Sequence, residues 1–166
     1  AHTPGLKVVI PSGPRNARAL LNAAIQDPDP VVFYEPKAVY RAFRAEVPDE
    51  PETMPIGSAR IAREGDALTI IAYGAMMRPA LEAADDLADL HGINVELVDL
   101  LSIKPMDTET IVNSVIKTGR CVIVHEGPRT CGIAAEIIAR LNEHAFEYLI
   151  APIRRVTGYD THFPYF

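Results

Sequence analysis

The sequence predicts an α/β fold, a three-layer αβα sandwich around a mostly parallel sheet. Three observations carry this. Short β-branched or apolar runs alternate with helix-period segments every 20–25 residues. Some of these runs, such as Cys121-Val122-Ile123-Val124, are apolar without alternation, as expected for strands covered on both faces. Apolar residues make up 48% and charged residues 23% of the 166, which places the chain among globular domains and excludes disorder, collagen-like repeats and a coiled coil.

In chain order, Leu6 to Ile10 is a strand ended by Pro11, and Ser12-Gly13-Pro14 starts a helix with Pro in its first turn. Ala17, Leu20, Leu21, Ala24 and Ile25 give that helix an apolar face, and Asp27-Pro28-Asp29-Pro30 stops it. Val31 to Tyr34 is the second strand of a βαβ unit. Residues 42–57 carry much charge, prolines and little periodicity, and read as a linker or an extended crossing segment. Strands at 58–63 and 67–73 flank Glu64-Gly65-Asp66, which reads as a hairpin turn. A helix begins at Pro79, with Met77, Leu81, Ala84, Leu87 and Ala88 at its apolar positions, and ends at Gly92. Asn94 to Leu100 is a strand. Pro105 and Asp107 open a helix that buries Ile111, Val112, Val115 and Ile116, and Gly119 closes it. The strand at 121–124, a helix with Ile133, Ile137, Ile138 and Leu141 inside, and a strand at 153–156 complete the series. Residues 1–41 contribute two strands and one helix, too little for a domain, so their partner strands are expected outside this chain.

Composition also bounds function. A net charge of −6 argues against a general phosphate-backbone binder, so no nucleic-acid partner is expected. No apolar run reaches the roughly 18 residues of a membrane span, so no membrane partner is expected either. Cys121 and Cys131 are too few for a disulfide scaffold, and no basic-then-apolar leader opens the printed residues. The expectation is two reduced thiols in an intracellular protein. No CxxC, GxxxxGK[ST], GxGxxG or GxSxG pattern is present.

Three clusters remain as candidates. His125, Glu126 and Arg129 follow an apolar strand and precede a helix, the edge where α/β sheets bind ligands. They read as an acid or base, a carboxylate partner and an anion clamp. The plainer alternative, a buried hydrogen-bonded turn at a subunit contact, is preferred, because adjacent residues point to opposite sides. Glu35 and Lys37 with Tyr40 and Arg41 read as a phosphate or carboxylate site, or as an ion-pair cluster tying the linker to the sheet; the latter is slightly favoured. Asp160, in Gly158-Tyr159-Asp160-Thr161, reads as the cap of its own turn.

Several long runs resemble one family. They are His2 to Ser12; Phe33-Tyr34-Glu35-Pro36-Lys37 with Tyr40-Arg41; Leu97 to Leu100 with Pro105-Met106-Asp107; Ser114 to Arg120 followed by His125-Glu126; and Arg155 to Thr161 with Phe163-Pro164-Tyr165. Together, in collinear order, they resemble the β subunit of the thiamine diphosphate-dependent, decarboxylating component of 2-oxo acid dehydrogenase complexes. The run from Lys117-Thr118-Gly119-Arg120 to His125-Glu126 favours this branch over a transketolase or a deoxyxylulose-phosphate synthase.

The resemblance implies a transketolase C-terminal-like domain at 58–166, a linker at 42–57, and the tail of a pyrimidine-binding domain at 1–41. It implies an α2β2 enzyme that oxidatively decarboxylates a branched-chain 2-oxo acid or pyruvate and passes the acyl group to a lipoyl-lysine. The implied partners are an α subunit, a second β subunit and the dihydrolipoyl transacylase core. The implied location is the cytoplasm of a prokaryote or the mitochondrial matrix of a eukaryote. The family's cofactor-activating glutamate and its His-Ser-Gln histidine match nothing after Ala1, so the chain is expected to be truncated. Alone it is expected to hold neither thiamine diphosphate with Mg2+ nor activity, and to supply mainly assembly surface. A family potassium site, built largely from backbone oxygens, falls on Ala24, Asp27 and Asp29. The alternative is a stand-alone, non-catalytic dimerisation module.

Overall fold

The structure, a computed structural model, describes residues 1–50 and 52–162. Pro51 of the expected linker and the Phe163-Pro164-Tyr165 motif lie outside the described residues. The strands are β1 (Lys7–Val9), β2 (Val31–Phe33), β3 (Arg60–Arg63), β4 (Leu68–Ala72), β5 (Val95–Asp99), β6 (Ser102–Lys104), β7 (Cys121–Pro128) and β8 (Arg154–Gly158). The helices are α1 (Pro14–Gln26), α2 (Met77–His91), α3 (Thr108–Thr118) and α4 (Ile133–Ala145).

A five-stranded sheet runs in the order β3-β5-β4-β7-β8. β4 is parallel to both β5 and β7, β7 is parallel to β8, and only β3, at the edge, is antiparallel. Side chains alternate across it. Ile70 and Leu97 meet Met77, Ala80 and Ala84 of α2 on one face. Ile71, Val98 and Ile123 meet Ile111, Val115, Ile137 and Leu141 of α3 and α4 on the other. The expected three layers are therefore present. Each fully buried Ile or Leu contributes about 1.5–3 kcal/mol.

The punctuation of the helices follows the sequence. Asp107 caps α3, accepting hydrogen bonds from the Thr110 N–H at 3.0 Å and the Ala59 N–H at 2.9 Å. Gly92 and Gly119 end α2 and α3 in the left-handed conformation, at φ 65° and 68°. Two carboxylate and hydroxyl groups inside the sheet are satisfied by α3. The Thr69 hydroxyl lies 2.8 Å from those of both Ser114 and Thr118, and Glu96 takes the Lys117 ammonium.

Four expectations need correction. The hairpin at Glu64-Gly65-Asp66 does not form: β5 lies between β3 and β4. The connection crosses the start of β5, where the Asp66 and Ala67 N–H groups both donate to the Asn94 carbonyl. The partner strands of residues 1–41 are not all outside the chain. β1 pairs with β2 and, antiparallel, with β6, a strand too short for periodicity to reveal. β7 does not stop at Val124 but continues to Pro128, opposite Gly158 of β8. Finally, α1 buries Asn16, Ala19 and Leu20, leaving Leu21 and Ile25 exposed at 43% and 73%. Its apolar stripe is wider than the surface this chain offers it.

The linker is an extended crossing segment strapped to α1 from one helix face. Arg15 holds the Glu52 carboxylate through two nitrogens at 2.9 and 2.8 Å, Arg18 donates to the Pro48 and Asp49 carbonyls, and Asn22 donates to the Glu52 carbonyl.

The crossing at Gly65 tolerates no side chain, because a Cβ there would lie 2.2 Å from the Val95 carbonyl carbon. Gly65→Ala is expected to destabilise the fold by roughly 1–3 kcal/mol. An unchanged urea midpoint for the variant would refute the close approach.

Candidate functional site

β4 and β7 are neighbours whose onward connections diverge, α2 leading to β5 on one side and α4 to β8 on the other. The gap between their carboxyl ends is the switch point where open α/β sheets bind ligands. Here it is filled. Tyr73, one residue beyond β4, stacks on His125 of β7 with ring centroids 6.3 Å apart and planes 16° from parallel. His125 is 2% exposed, and neither ring nitrogen has a well-formed hydrogen bond among the described residues, the Gly127 backbone being its nearest polar neighbour. The imidazole presses against Gly132, the N-cap of α4, where a Cβ would meet Cε1 at 2.7 Å.

Burial pushes the His125 pKa down, the Gly127 backbone opposes this, and the Arg155 guanidinium adds to it. Burial and then Glu126 push the Tyr73 phenol up to about 12. The stack is therefore neutral at pH 7. Strand alternation buries His125 and exposes Glu126, so the two do not form a pair. Of the preferred buried turn, the structure shows burial of His125 only: Glu126 is exposed, and both residues lie within β7, whose pairing with β8 is irregular between Val124 and Pro128. Arg129 is exposed; its carbonyl accepts from Arg155 at 3.2 Å. Asp160 does not cap its own turn. It reaches back to the Thr130 N–H at 2.9 Å and the Thr130 hydroxyl at 2.7 Å, which hold its pKa below the usual range.

At Glu35, the Tyr40 hydroxyl donates to the carboxylate, which raises the Tyr40 pKa. Among the described residues no ion pair joins Lys37 or Arg41 to Glu35. The expected cluster is thus one tyrosine–carboxylate bond, and the linker is tied down by α1 instead.

Ala24, Asp27 and Asp29 lie at the C-terminal end of α1, whose last turn carries no basic residue. The Lys7 ammonium pairs with the Asp27 carboxylate at 2.7 Å and with Asp29 at 3.1 Å. Hydrogen bonding to Lys7 lowers the Asp27 pKa. The two side chains therefore already hold a cation, and only backbone oxygens of this turn fit a monovalent metal ion. Among the described residues no group of three or more His, Cys, Asp or Glu is placed to hold a metal. Cys121 and Cys131 are unpaired. Burial pushes the Cys121 thiol up to about 12, so it is inert.

The sequence reading missed one cluster. Asp99, at the end of β5, has a fully buried side chain. It accepts from the Ser12 hydroxyl at 2.5 Å and from Arg60 at 3.3 Å, and its Oδ1 has no partner among the described residues. Burial pushes its pKa up to about 6, against Ser12 and Arg60. The available signal was two carboxylates, Glu96 and Asp99, in the otherwise apolar run Val95 to Leu101. Above Ser12 and Arg60 opens a cleft of about 910 Å3 between the start of α1, the linker, β3 and the start of α2.

Comparison with known proteins adds the following. The family described as "Transketolase, C-terminal domain" matches residues 57–165. The chain is 55% identical over 163 residues to a mitochondrial 2-oxoisovalerate dehydrogenase subunit beta of Dictyostelium discoideum, covering 98% of this chain and 44% of that protein. It is 50% identical over 165 residues to the pyruvate dehydrogenase E1 component subunit beta of Bacillus subtilis, covering 99% and 50%. A solved "Split gene transketolase, inactive beta4 tetramer" superposes with a TM-score of 0.79 at 28% identity, covering 96% of this chain and 50% of that one. The chain thus spans about half the length of the curated relatives it matches.

Two buried groups give opposite pH dependences. Asp99 is shifted up, so its stabilising contribution is complete below about 3.8 and is lost as pH rises through about 6. The melting temperature of Asp99→Asn relative to the parent chain is expected to rise between pH 4.5 and 7.5; a flat difference contradicts the buried carboxylate. His125 is shifted down, so its contribution is present above about 6.5 and is lost on acidification. His125→Phe should therefore lose less stability than the parent between pH 7 and pH 5, and an equal loss would show that His125 charges freely.

Proposed function

Residues 57–165 make this chain a member of the transketolase C-terminal domain family, and we propose that it is part of the β subunit of a 2-oxo acid dehydrogenase. The observation that carries this is identity of 50–55% over nearly the whole chain to two β subunits of such complexes. In this reading the enzyme decarboxylates a branched-chain 2-oxo acid or pyruvate and transfers the acyl group to a lipoyl-lysine. It does so with an α subunit, a second β subunit and a transacylase core. The location that follows is the cytoplasm of a prokaryote or the mitochondrial matrix of a eukaryote; no helix among the described residues is long and apolar enough to cross a membrane.

Thiamine diphosphate with Mg2+ supplies the electron sink for decarboxylation in the assembled enzyme. The described residues offer no metal cluster for it, so no step of the chemistry is assigned to them. Their role is assembly. Ile25, Phe146, Ile150 and Tyr159 are 73%, 67%, 66% and 87% exposed, and large apolar groups left bare in one chain are the material of subunit contacts. A second reading, a non-catalytic oligomerisation module, is favoured by the structural neighbour titled an inactive β4 tetramer.

Activity separates the two readings. The native complex should release carbon dioxide from 2-oxoisovalerate or pyruvate, while the 166-residue chain alone should not. A complex inert to both acids would leave the oligomerisation module. A potassium ion on the carbonyls of Ala24, Asp27 and Asp29 should raise the melting temperature in KCl over choline chloride at equal ionic strength. Equal melting temperatures would remove the ion from this turn.

A further inference from the structure

Four residues tie the start of α1 to the main sheet, and they form one relay. Asn16 is 6% exposed, and its side-chain oxygen accepts from the Ser12 and Gly13 N–H groups at 3.1 and 3.0 Å. That fixes the orientation of the amide, whose nitrogen donates to the Ser12 hydroxyl at 2.8 Å. A hydroxyl has one proton to give. Since the Asn16 nitrogen can only donate, the Ser12 proton goes to Asp99 Oδ2, 2.5 Å away. Arg60, opposite Asp99 on β3, completes the relay at 3.3 Å.

The segment has no other polar fastening. Pro11 and Pro14 have no N–H, and the two N–H groups between them are spent on Asn16. Among the described residues, the bond from Ser12 to Asp99 is the one hydrogen bond from residues 11–14 to residues 57–162. On either side the attachment is of another kind. Before it, β1 pairs with β6 and the Ile10 N–H donates to the Leu101 carbonyl. After it, Leu20 packs with Val9 and Leu101. The start of α1 can therefore part from β5 without undoing either. Ser12 and Asn16 also line the 910 Å3 cleft, so parting moves one of its walls.

The carboxylate at the end of the relay is fully buried, and burial outweighs Ser12, Arg60 and the Leu101 backbone in setting its pKa, at about 6. Arg60 is the one charge that acts on it. Around it, Arg15 of α1 is paired with Glu52 of the linker, Arg78 of α2 with Glu82, Arg63 of β3 with Asp85, and Lys7 of β1 with Asp27. Lys104 of β6 donates to the Thr3 carbonyl, Glu46 lines the cleft from the linker, and β4 carries no charge. Asp99 Oδ1 has no well-formed hydrogen bond among the described residues, so it can take up a proton while Oδ2 keeps the Ser12 bond. Loss of that proton leaves a buried anion with a hydroxyl and a half-exposed guanidinium, for which water is the better partner. We propose that Asp99 is a proton-operated latch: protonated, it holds the start of α1 on β5, and ionised, it loosens that hold. The latch is independent of the 2-oxo acid dehydrogenase reading.

The docked carboxyl is shifted up, so the latch is fully closed below about 3.8 and weakens as pH rises through about 6. Amide hydrogen exchange of the natively assembled protein, expressed as protection factors, reads this directly. Between pH 5 and pH 7.5 the protection of residues 12–18 is expected to fall about tenfold, while that of residues 111–118 in α3 stays constant. Asp99→Asn keeps an acceptor for Ser12 and cannot ionise, so its residues 12–18 should show no such fall. Ser12→Ala removes the fastening and should lower the protection of the same residues several-fold at both pH values, with α3 unchanged. If Asp99→Asn does not assemble, the parent and Ser12→Ala still decide. Protection of residues 12–18 that is independent of pH overturns the proposal, as does a fall shared equally by α3. A full tenfold fall in Asp99→Asn assigns the effect to another group, and unchanged protection in Ser12→Ala shows that nothing was fastened there; either result overturns it too.

Discussion

The structure depends on β4 being covered on every side. It is paired along both edges, by β5 and β7, and sandwiched on both faces, by α2 and by α3 with α4. A strand so placed has no solvent to satisfy a stray polar group, which accounts for its composition. Ile70, Ile71 and Ala72 carry no polar side-chain atoms, and the one exception, Thr69, has its hydroxyl matched to two others on α3. Parallel pairing on both edges also forces each connection to cross a face of the sheet. The reversal of direction around β4 then creates the switch point by topology alone. What stands there is a neutral stack of Tyr73 on His125 rather than an open pocket, so His125 is packed into the fold while Glu126 and Arg129 face outward.

A second constraint joins the N-terminal segment to this sheet. β1 lies against β6, Lys104 reaches the Thr3 carbonyl at 2.6 Å, and Ser12 bonds Asp99 at 2.5 Å. Leu101 makes the geometry possible. It adopts φ 53°, unusual for a branched residue, and turns the chain out of β5 into β6 within two residues. Its side chain is fully buried among Val9 and Leu20, so burial offsets the conformational cost. Residues 1–41 are thus docked on the domain through backbone pairing, a buried carboxylate and a small apolar cluster.

Features with a local cause were legible in the sequence. Gly92, Gly119, Asp107 and the proline-bounded start of α1 mark helix ends through chemistry confined to a few residues. The alternation of elements was enough for the layers. Features caused by distant residues were not legible. Whether Glu64-Gly65-Asp66 closes a hairpin depends on β5, thirty residues on, which competes for the edge of β4 over its full length and wins with a parallel ladder. Ser12 and Asp99 are 87 positions apart, and neither carries a motif that announces the other. His125 and Glu126 looked like chemistry because they are polar residues at a strand end. The strand continues past them, and period-two alternation then settles their separation.

The two carboxylates of β5 show how much the partner decides. Glu96 and Asp99 are three residues apart, on one strand, and both are buried, at 2% and 0% exposure. Burial pushes both upward. Hydrogen bonds from Lys117 and Ser114 reverse this for Glu96, which ends below the usual carboxylate range. Asp99 has a hydroxyl, one longer guanidinium contact and a weaker pull from the Leu101 backbone, and it ends at about 6. The difference lies in the cation. Lys117 is committed to Glu96 and Glu64, on the surface of α3. Arg60 stands between Asp99 beneath and the open cleft above, and has donors for both. A buried acid left short of partners by a cation that also faces a cavity is an arrangement that costs stability in the isolated chain.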